Sequence, residues 1–105
     1  MKNERDVKAQ CKRIIRNHGG WYTMPIQTGY GIQGVPDILA CVNGQFLGIE
    51  CKFGYNKPTA LQTRQLRQIA QAGGRAVIIH ENNLDVLQAL CQDAVDQSEK
   101  GGDGE

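Results

Sequence analysis

Several common chemistries are excluded by what the chain has little of. Its two histidines, His18 and His80, stand apart from each other, which argues against chemistry built on a catalytic histidine. The four cysteines at 11, 41, 51 and 91 form no CxxC and no Cys/His pair with zinc-site spacing. Cys41 and Cys51 fall in expected strands and Cys11 and Cys91 on apolar helical stripes, so all four are expected to be small buried thiols. No apolar run approaches the roughly eighteen residues of a membrane span, and the N-terminus is charged without an apolar core segment. A cytoplasmic protein with no membrane partner is the expectation. The glycine-rich stretch Gly29 to Gly34, GYGIQG, lacks the lysine of a P-loop and does not open a helix, so a phosphate cradle is not expected there. A mobile loop is expected there, with Tyr30 free to touch substrate or a partner subunit.

Acids are also scarce over most of the chain. Of 105 residues, 40% are apolar and 22% charged, the profile of one globular domain, here residues 1–97. Beyond Gln97, SEKGGDGE has nothing to bury, so residues 98–105 are expected to form a disordered acidic tail. The net charge of +1 conceals a segregation. Residues 1–80 hold eleven Lys/Arg against four Asp/Glu, a net of +7, and residues 81–105 hold one against seven, a net of −6. Three of those four acids are Glu4, Asp37 and Glu50. A basic body with its few acids gathered at one place suits a polyanionic substrate.

The gathering follows from a hairpin. Two apolar-rich runs, 37–42 and 45–53, flank Asn43-Gly44, the strongest short-range signal for a two-residue turn. Such a turn sets the register: Val42 faces Gln45, Cys41 faces Phe46, Ile38 faces Ile49, and Asp37 faces Glu50. Period-two alternation puts Lys52 on the face of Glu50. Like charges directly opposed on a sheet destabilise it by roughly 0.2–1 kcal/mol, and by more when partly buried. A hard divalent cation with oxygen ligands would compensate, and an adjacent ammonium would orient an attacking water or balance charge on a phosphate.

The other elements frame this hairpin. Val7, Cys11, Ile14 and Ile15 recur at helical spacing up to Gly19-Gly20, and the stripe extended backwards reaches Glu4. Glu4 is there either as a first-turn acid favoured by the macrodipole or as a buried functional group. The opposite face carries Arg5, Lys8, Lys12, Arg13 and Arg16, a surface for phosphates. Trp21 to Thr28 reads as a strand demoted by Pro25 to an edge or bulge. Thr59 starts a helix with Leu61, Leu66, Ile69 and Ala70 inward, and Thr59-x-x-Gln62 fits a capping box that competes with any catalytic role for Gln62. Lys57, Arg64 and Arg67 are candidates for backbone contacts to nucleic acid. Ala76 to Ile79 is read as a buried strand, and Asn83 as the cap of a last helix carrying Leu84, Leu87, Cys91, Ala94 and Val95.

Pro36-Asp37 followed by Glu50-Cys51-Lys52, in the order α-β-β-β-α-β-α, resembles the PD-(D/E)XK nuclease superfamily. Glu4, Gly34-Val35-Pro36-Asp37, Ile49-Glu50-Cys51-Lys52 and Gln62 together resemble its VRR-NUC family over residues 3–80. The resemblance implies an α/β fold with a restriction-endonuclease-like core, a mixed sheet flanked by helices. It also implies a Mg²⁺- or Mn²⁺-dependent phosphodiesterase acting on DNA. Asp37, Glu50 and the Cys51 backbone carbonyl would hold the metal, and Lys52 would position or activate the water. Glu4 would hold a second metal or a metal-bound water, and Gln62 would support the lysine. Stand-alone relatives of this size look like phage or bacterial enzymes that cleave branched DNA as dimers, in the manner of Holliday junction resolvases. A homodimer is therefore expected, with Trp21, Tyr22 and Met24 as candidates for its contacts. A restriction-type or nicking nuclease and a non-catalytic DNA-binding module are the competing readings.

Overall fold

Asn43 and Gly44 both take left-handed backbone angles, φ 47 and 82, as a two-residue hairpin turn with the native strand twist requires. A computed structural model of the chain describes the backbone of residues 1–102 and the side chains of residues 1–97. The turn joins β2 (Ile38–Val42) to β3 (Gln45–Cys51) in antiparallel register, with Val42 opposite Gln45, Cys41 opposite Phe46 and Ile38 opposite Ile49. On the far side of β2 lies β1 (Trp21–Thr23), antiparallel, with Trp21 opposite Cys41. On the far side of β3 lies β4 (Arg75–Ile79), parallel, with Ile49 opposite Val77. The four strands form one mixed sheet in the order β1-β2-β3-β4.

Helices α1 (Glu4–Asn17), α2 (Ala60–Gln71) and α3 (Leu84–Gly102) flank this sheet. The order α-β-β-β-α-β-α and the mixed sheet are those expected. The principal core gathers Val7, Cys11 and Ile15 of α1 and Leu87 and Cys91 of α3 with the inward set Ile38, Ala40, Leu47, Ile49 and Ile79 of the sheet. Each such fully buried aliphatic side chain contributes about 1.5–3 kcal/mol of transfer free energy, which is what holds α1 against the hairpin. Asn3 opens α1 by accepting from the Asp6 amide, leaving Glu4 in the first turn. Thr59 and Gln62 close a capping box at the start of α2. No helix among the described residues is long and apolar enough to cross a membrane.

Several local expectations are corrected. Cys41 is exposed, because Ile38, Ala40 and Val42 occupy the core side of β2 and alternation sends its neighbour outward. The strand expected over residues 21–28 ends at Thr23. Strand β4 is an edge strand in which only Ile79 is fully buried, since the sheet ends there. On α2 only Leu66 is fully buried, while Leu61 and Ala70 are exposed, because the helix is narrower in its contact with β3 and β4 than its apolar stripe. Asn83 does not cap α3 with its side chain. Its Oδ1 accepts from the His80 amide at 2.7 Å and its Nδ2 donates to the Ile78 carbonyl, so it ties the β4–α3 turn instead. Helix α3 is described as far as Gly102, and the expected disordered tail at 98–105 otherwise lies outside the described residues.

Candidate active site

One end of the hairpin carries the chemistry. Asp37 immediately precedes β2, and its Oδ2 accepts a hydrogen bond from the Cys51 amide at 2.9 Å, which ties the start of one strand to the end of its partner. Gly34 makes this approach possible. Its φ is +79, and a Cβ there would lie 2.5 Å from the Leu61 carbonyl carbon, so no other residue lets this segment pass under the first turn of α2.

Three carboxylates converge at this end. Glu4, Asp37 and Glu50 each place one oxygen so that all three lie within 4.8 Å of one another. The dual reading of Glu4 resolves into both of its parts: it stands in the first turn of α1 and its carboxylate joins the cluster. Two ammonium groups accompany the acids. Lys52 Nζ lies 3.1 Å from Glu50 Oε2 and 3.8 Å from Glu4 Oε1, and Lys8 Nζ lies 3.7 Å from Asp37 Oδ1.

Glu50 bears the largest electrostatic cost. It is 1% exposed, and neither of its oxygens has a hydrogen-bond partner among the described residues; the Lys52 ammonium is close but not directed along a hydrogen bond. Burial and then the Asp37 charge raise its pKa to about 7, with Lys52 opposing. Burial also works against the Lys52 ammonium, but its ion pair with Glu50 and the charges of Glu4 and Asp37 outweigh that and hold its pKa above the ordinary value. Lys52 is therefore a cation at neutral pH. The Cys51 thiol is pushed up by its contact with Cys11, 3.8 Å away, and by burial, so it is neither a nucleophile nor a thiolate ligand.

A buried carboxylate with no hydrogen bond to either oxygen, beside two more carboxylates, is the donor set of a hard dication. The residues present fit a divalent metal held by oxygen. Such an ion would supply the missing partner for Glu50 and offset the mutual repulsion of the three acids.

The sequence-predicted residues divide into three groups. Glu4, Asp37, Glu50 and Lys52 are brought together, with Cys51 attached through its amide. Gln62 is not joined to Lys52 by any described hydrogen bond; its Oε1 accepts from the Thr59 amide at 2.8 Å, so the capping role holds the side chain. Of the basic residues, Arg13, Lys57, Arg64 and Arg67 are exposed, Lys12 is half-buried, and Tyr30 is fully exposed. Arg16 is exposed and donates to the Tyr22 hydroxyl, lying 5.3 Å from the ring centre. Tyr22 packs against the core. Lys8, expected only as a surface contact, belongs to the site. Its spacing from Glu4, four residues and so one helical turn, is the signal that would have placed it there.

No family model and no curated protein matches the chain. A solved structure described as a VRR_NUC domain is similar to it with a TM-score of 0.65 and 19% identity, covering 85% of this chain and 94% of that one. The chain therefore has the fold of a VRR-NUC domain, the one that Gly34-Val35-Pro36-Asp37 and Ile49-Glu50-Cys51-Lys52 resemble in sequence.

Proposed function

We propose that this chain is a Mg²⁺- or Mn²⁺-dependent endodeoxyribonuclease that hydrolyses phosphodiester bonds in branched DNA, of the Holliday junction resolvase type, working as a homodimer in the cytoplasm. The observation that carries the reading is the buried Glu50 carboxylate, with no hydrogen bond to either oxygen and only the Lys52 ammonium beside it, set against Asp37 and Glu4 on a body whose first 80 residues carry a net charge of +7.

Asp37, Glu50 and the Cys51 carbonyl would hold the metal, with Glu4 holding a second ion or a coordinated water. The bound ion supplies Lewis acidity toward the phosphate and lowers the pKa of water. Lys52 orients the attacking water and meets the negative charge that builds on the phosphate. Lys8 holds Asp37 in the free protein and is close enough to take a phosphate oxygen when DNA arrives. Lys12, Arg13, Arg16, Lys57, Arg64 and Arg67 supply contacts to the DNA backbone. Two cuts placed symmetrically on a junction require two sites related by a two-fold axis. The edge strand β1, where Trp21 is 64% exposed, and Met24 just after it, 38% exposed, offer a surface for that pairing.

The test is cleavage of a synthetic four-way junction against linear duplex of the same sequences, with Mg²⁺ or with EDTA. Preferential, metal-dependent cutting of the junction is expected. Equal cutting of both would remove the junction preference, and no metal-dependent cutting of any DNA would end the nuclease reading.

A further inference from the structure

An aromatic ring in full contact with water, on a turn braced from below, stands three residues beyond Lys52. Residues 53–56 form a tight turn in which the Asn56 amide donates to the Phe53 carbonyl at 3.3 Å. Gly54, at φ +65, takes the left-handed conformation the turn needs. Its amide donates to both oxygens of Glu81, at 3.1 and 2.9 Å. Glu81 lies just after β4, and the Ile79 carbonyl accepts from the Lys52 amide at 2.9 Å, so the turn and the catalytic strand rest on the same support. Tyr55, at the tip, is completely exposed.

The Tyr55 ring itself gains nothing for the fold. A ring at the tip of a floppy loop is ordinary surface, but here the backbone beneath it is held by a bifurcated, charge-assisted hydrogen bond and the side chain above it packs against nothing. Three residues of chain span at most about 10 Å, so the Tyr55 backbone stays within one or two nucleotide lengths of the Lys52 backbone. Lys57 follows two residues later, also exposed, giving the turn an aromatic and a cation together. A π-face beside a cation is the combination that binds an unstacked nucleobase and its phosphate. A continuous duplex offers no free base face; a branch point does, at the pairs flanking the crossover.

We propose that Tyr55 stacks on an unpaired or unstacked base next to the scissile phosphate, and that Glu81 is the positioning residue that keeps it there. The inference rests on the nuclease reading and names what the site selects: DNA with an exposed base face within reach of the cut. Because the ring contributes to binding and not to bond breaking, its loss raises KM for branched DNA and leaves the rate at saturation nearly unchanged.

The experiment uses the full chain and a four-way junction carrying 2-aminopurine beside the crossover, with linear duplex as control. For Tyr55→Ala, junction affinity should fall by about 5- to 150-fold, the equivalent of ~1–3 kcal/mol of stacking, with loss of the 2-aminopurine quench. Tyr55→Phe should keep both, duplex affinity should not change, and the melting temperature of either variant should equal that of the parent. Glu81→Gln should give a partial loss of quench. Undiminished junction binding by Tyr55→Ala, or an equal loss on duplex, overturns the proposal. Metal-dependent cleavage is scored in the same reactions. If the parent cuts the junction and Tyr55→Ala cuts it equally well at limiting substrate, only the stacking role is lost. If the parent cuts nothing, the nuclease reading fails and the stacking role fails with it.

Discussion

The Cys51 amide and the Asp37 carboxylate are joined by a 2.9 Å hydrogen bond that spans the mouth of the hairpin, so Asp37 has a structural task in addition to its place among the acids. Asparagine can perform the first task and not the second. Asp37→Asn should fold with a melting temperature close to that of the parent, since its side-chain oxygen can still accept from Cys51. It should lose at least tenfold in Mn²⁺ affinity by calorimetry, because one of three negative charges is gone. Asp37→Ala should lose both, with an added cost of about 1–2 kcal/mol in urea unfolding. Unchanged Mn²⁺ affinity in the asparagine variant would remove Asp37 from the ligand set.

Glu50 makes stability depend on pH in an unusual direction. Its pKa is raised by burial from 4.5 to about 7, so between those values the folded chain holds a proton that the unfolded chain has released. Stability in EDTA should therefore fall as pH rises from 5.5 to 7.5, by about 2 kcal/mol from this group, and level off above. Glu50→Gln should flatten that slope. Excess Mg²⁺ or Mn²⁺ should reverse it, since metal binds the ionised form and is favoured at the higher pH. A metal-free stability that climbs across the same interval in the parent and in Glu50→Gln alike would contradict the assignment.

Much of this was readable in advance, for reasons that differ from residue to residue. Asn43-Gly44 admits few turns, so the register of Ile38 with Ile49 followed from local chemistry, and the juxtaposition of Asp37 and Glu50 followed from the register. Glu4 was reachable because helical period extends beyond the apolar residues that reveal it. Which element covers which is not written in local pattern. Leu61 falls on the apolar stripe of its own helix but is 49% exposed, and Cys41 looks like a core thiol until the sheet face it lies on is known. Asn83 has the right position for a cap, yet the carbonyl of Ile78 and the amide of His80 compete successfully for its side chain. Those outcomes depend on contacts between elements, which local pattern does not encode.

Lys52 is the closest cation to Glu50, so removing it should carry a stability cost as well as a catalytic one. Lys52→Ala leaves a carboxylate that is 1% exposed without its ion pair, at a cost of about 3 kcal/mol in EDTA. Added Mn²⁺ should recover most of that loss, because the metal replaces the missing cation, while cleavage stays at least a hundredfold down. Binding of junction DNA should be retained. Cleavage at the parent rate would transfer the water-orienting role to another residue.

Gly34 should be among the least replaceable residues outside the acids. Alanine there would need a left-handed backbone, and its Cβ would come 2.5 Å from the Leu61 carbonyl carbon, so either the loop or the start of α2 must move. Gly34→Ala should cost about 1–3 kcal/mol from the strained backbone alone. Its larger effect should be on Mn²⁺ affinity, since the displaced segment delivers Asp37. A variant with parent affinity and a parent melting curve would show that the close approach of loop and helix is not needed.

Lys8 should separate metal binding from DNA binding by sign. Its ammonium stands 3.7 Å from Asp37 Oδ1 and competes with any cation for that oxygen, although its side chain is 30% exposed and the pair is weakened by solvent. Lys8→Ala should therefore bind Mn²⁺ more tightly, by a factor of about 1.5 to 5, the range a solvent-screened pair allows. The same change should weaken junction binding and lower the salt dependence of that binding by about one unit of slope, because one phosphate contact is lost. Opposite signs on the two ligands are what a lysine shared between the Asp37 carboxylate and the bound phosphate requires. Weaker metal binding in Lys8→Ala would mean instead that the lysine supports the ligand geometry, and an unchanged salt slope would mean that it never meets the DNA.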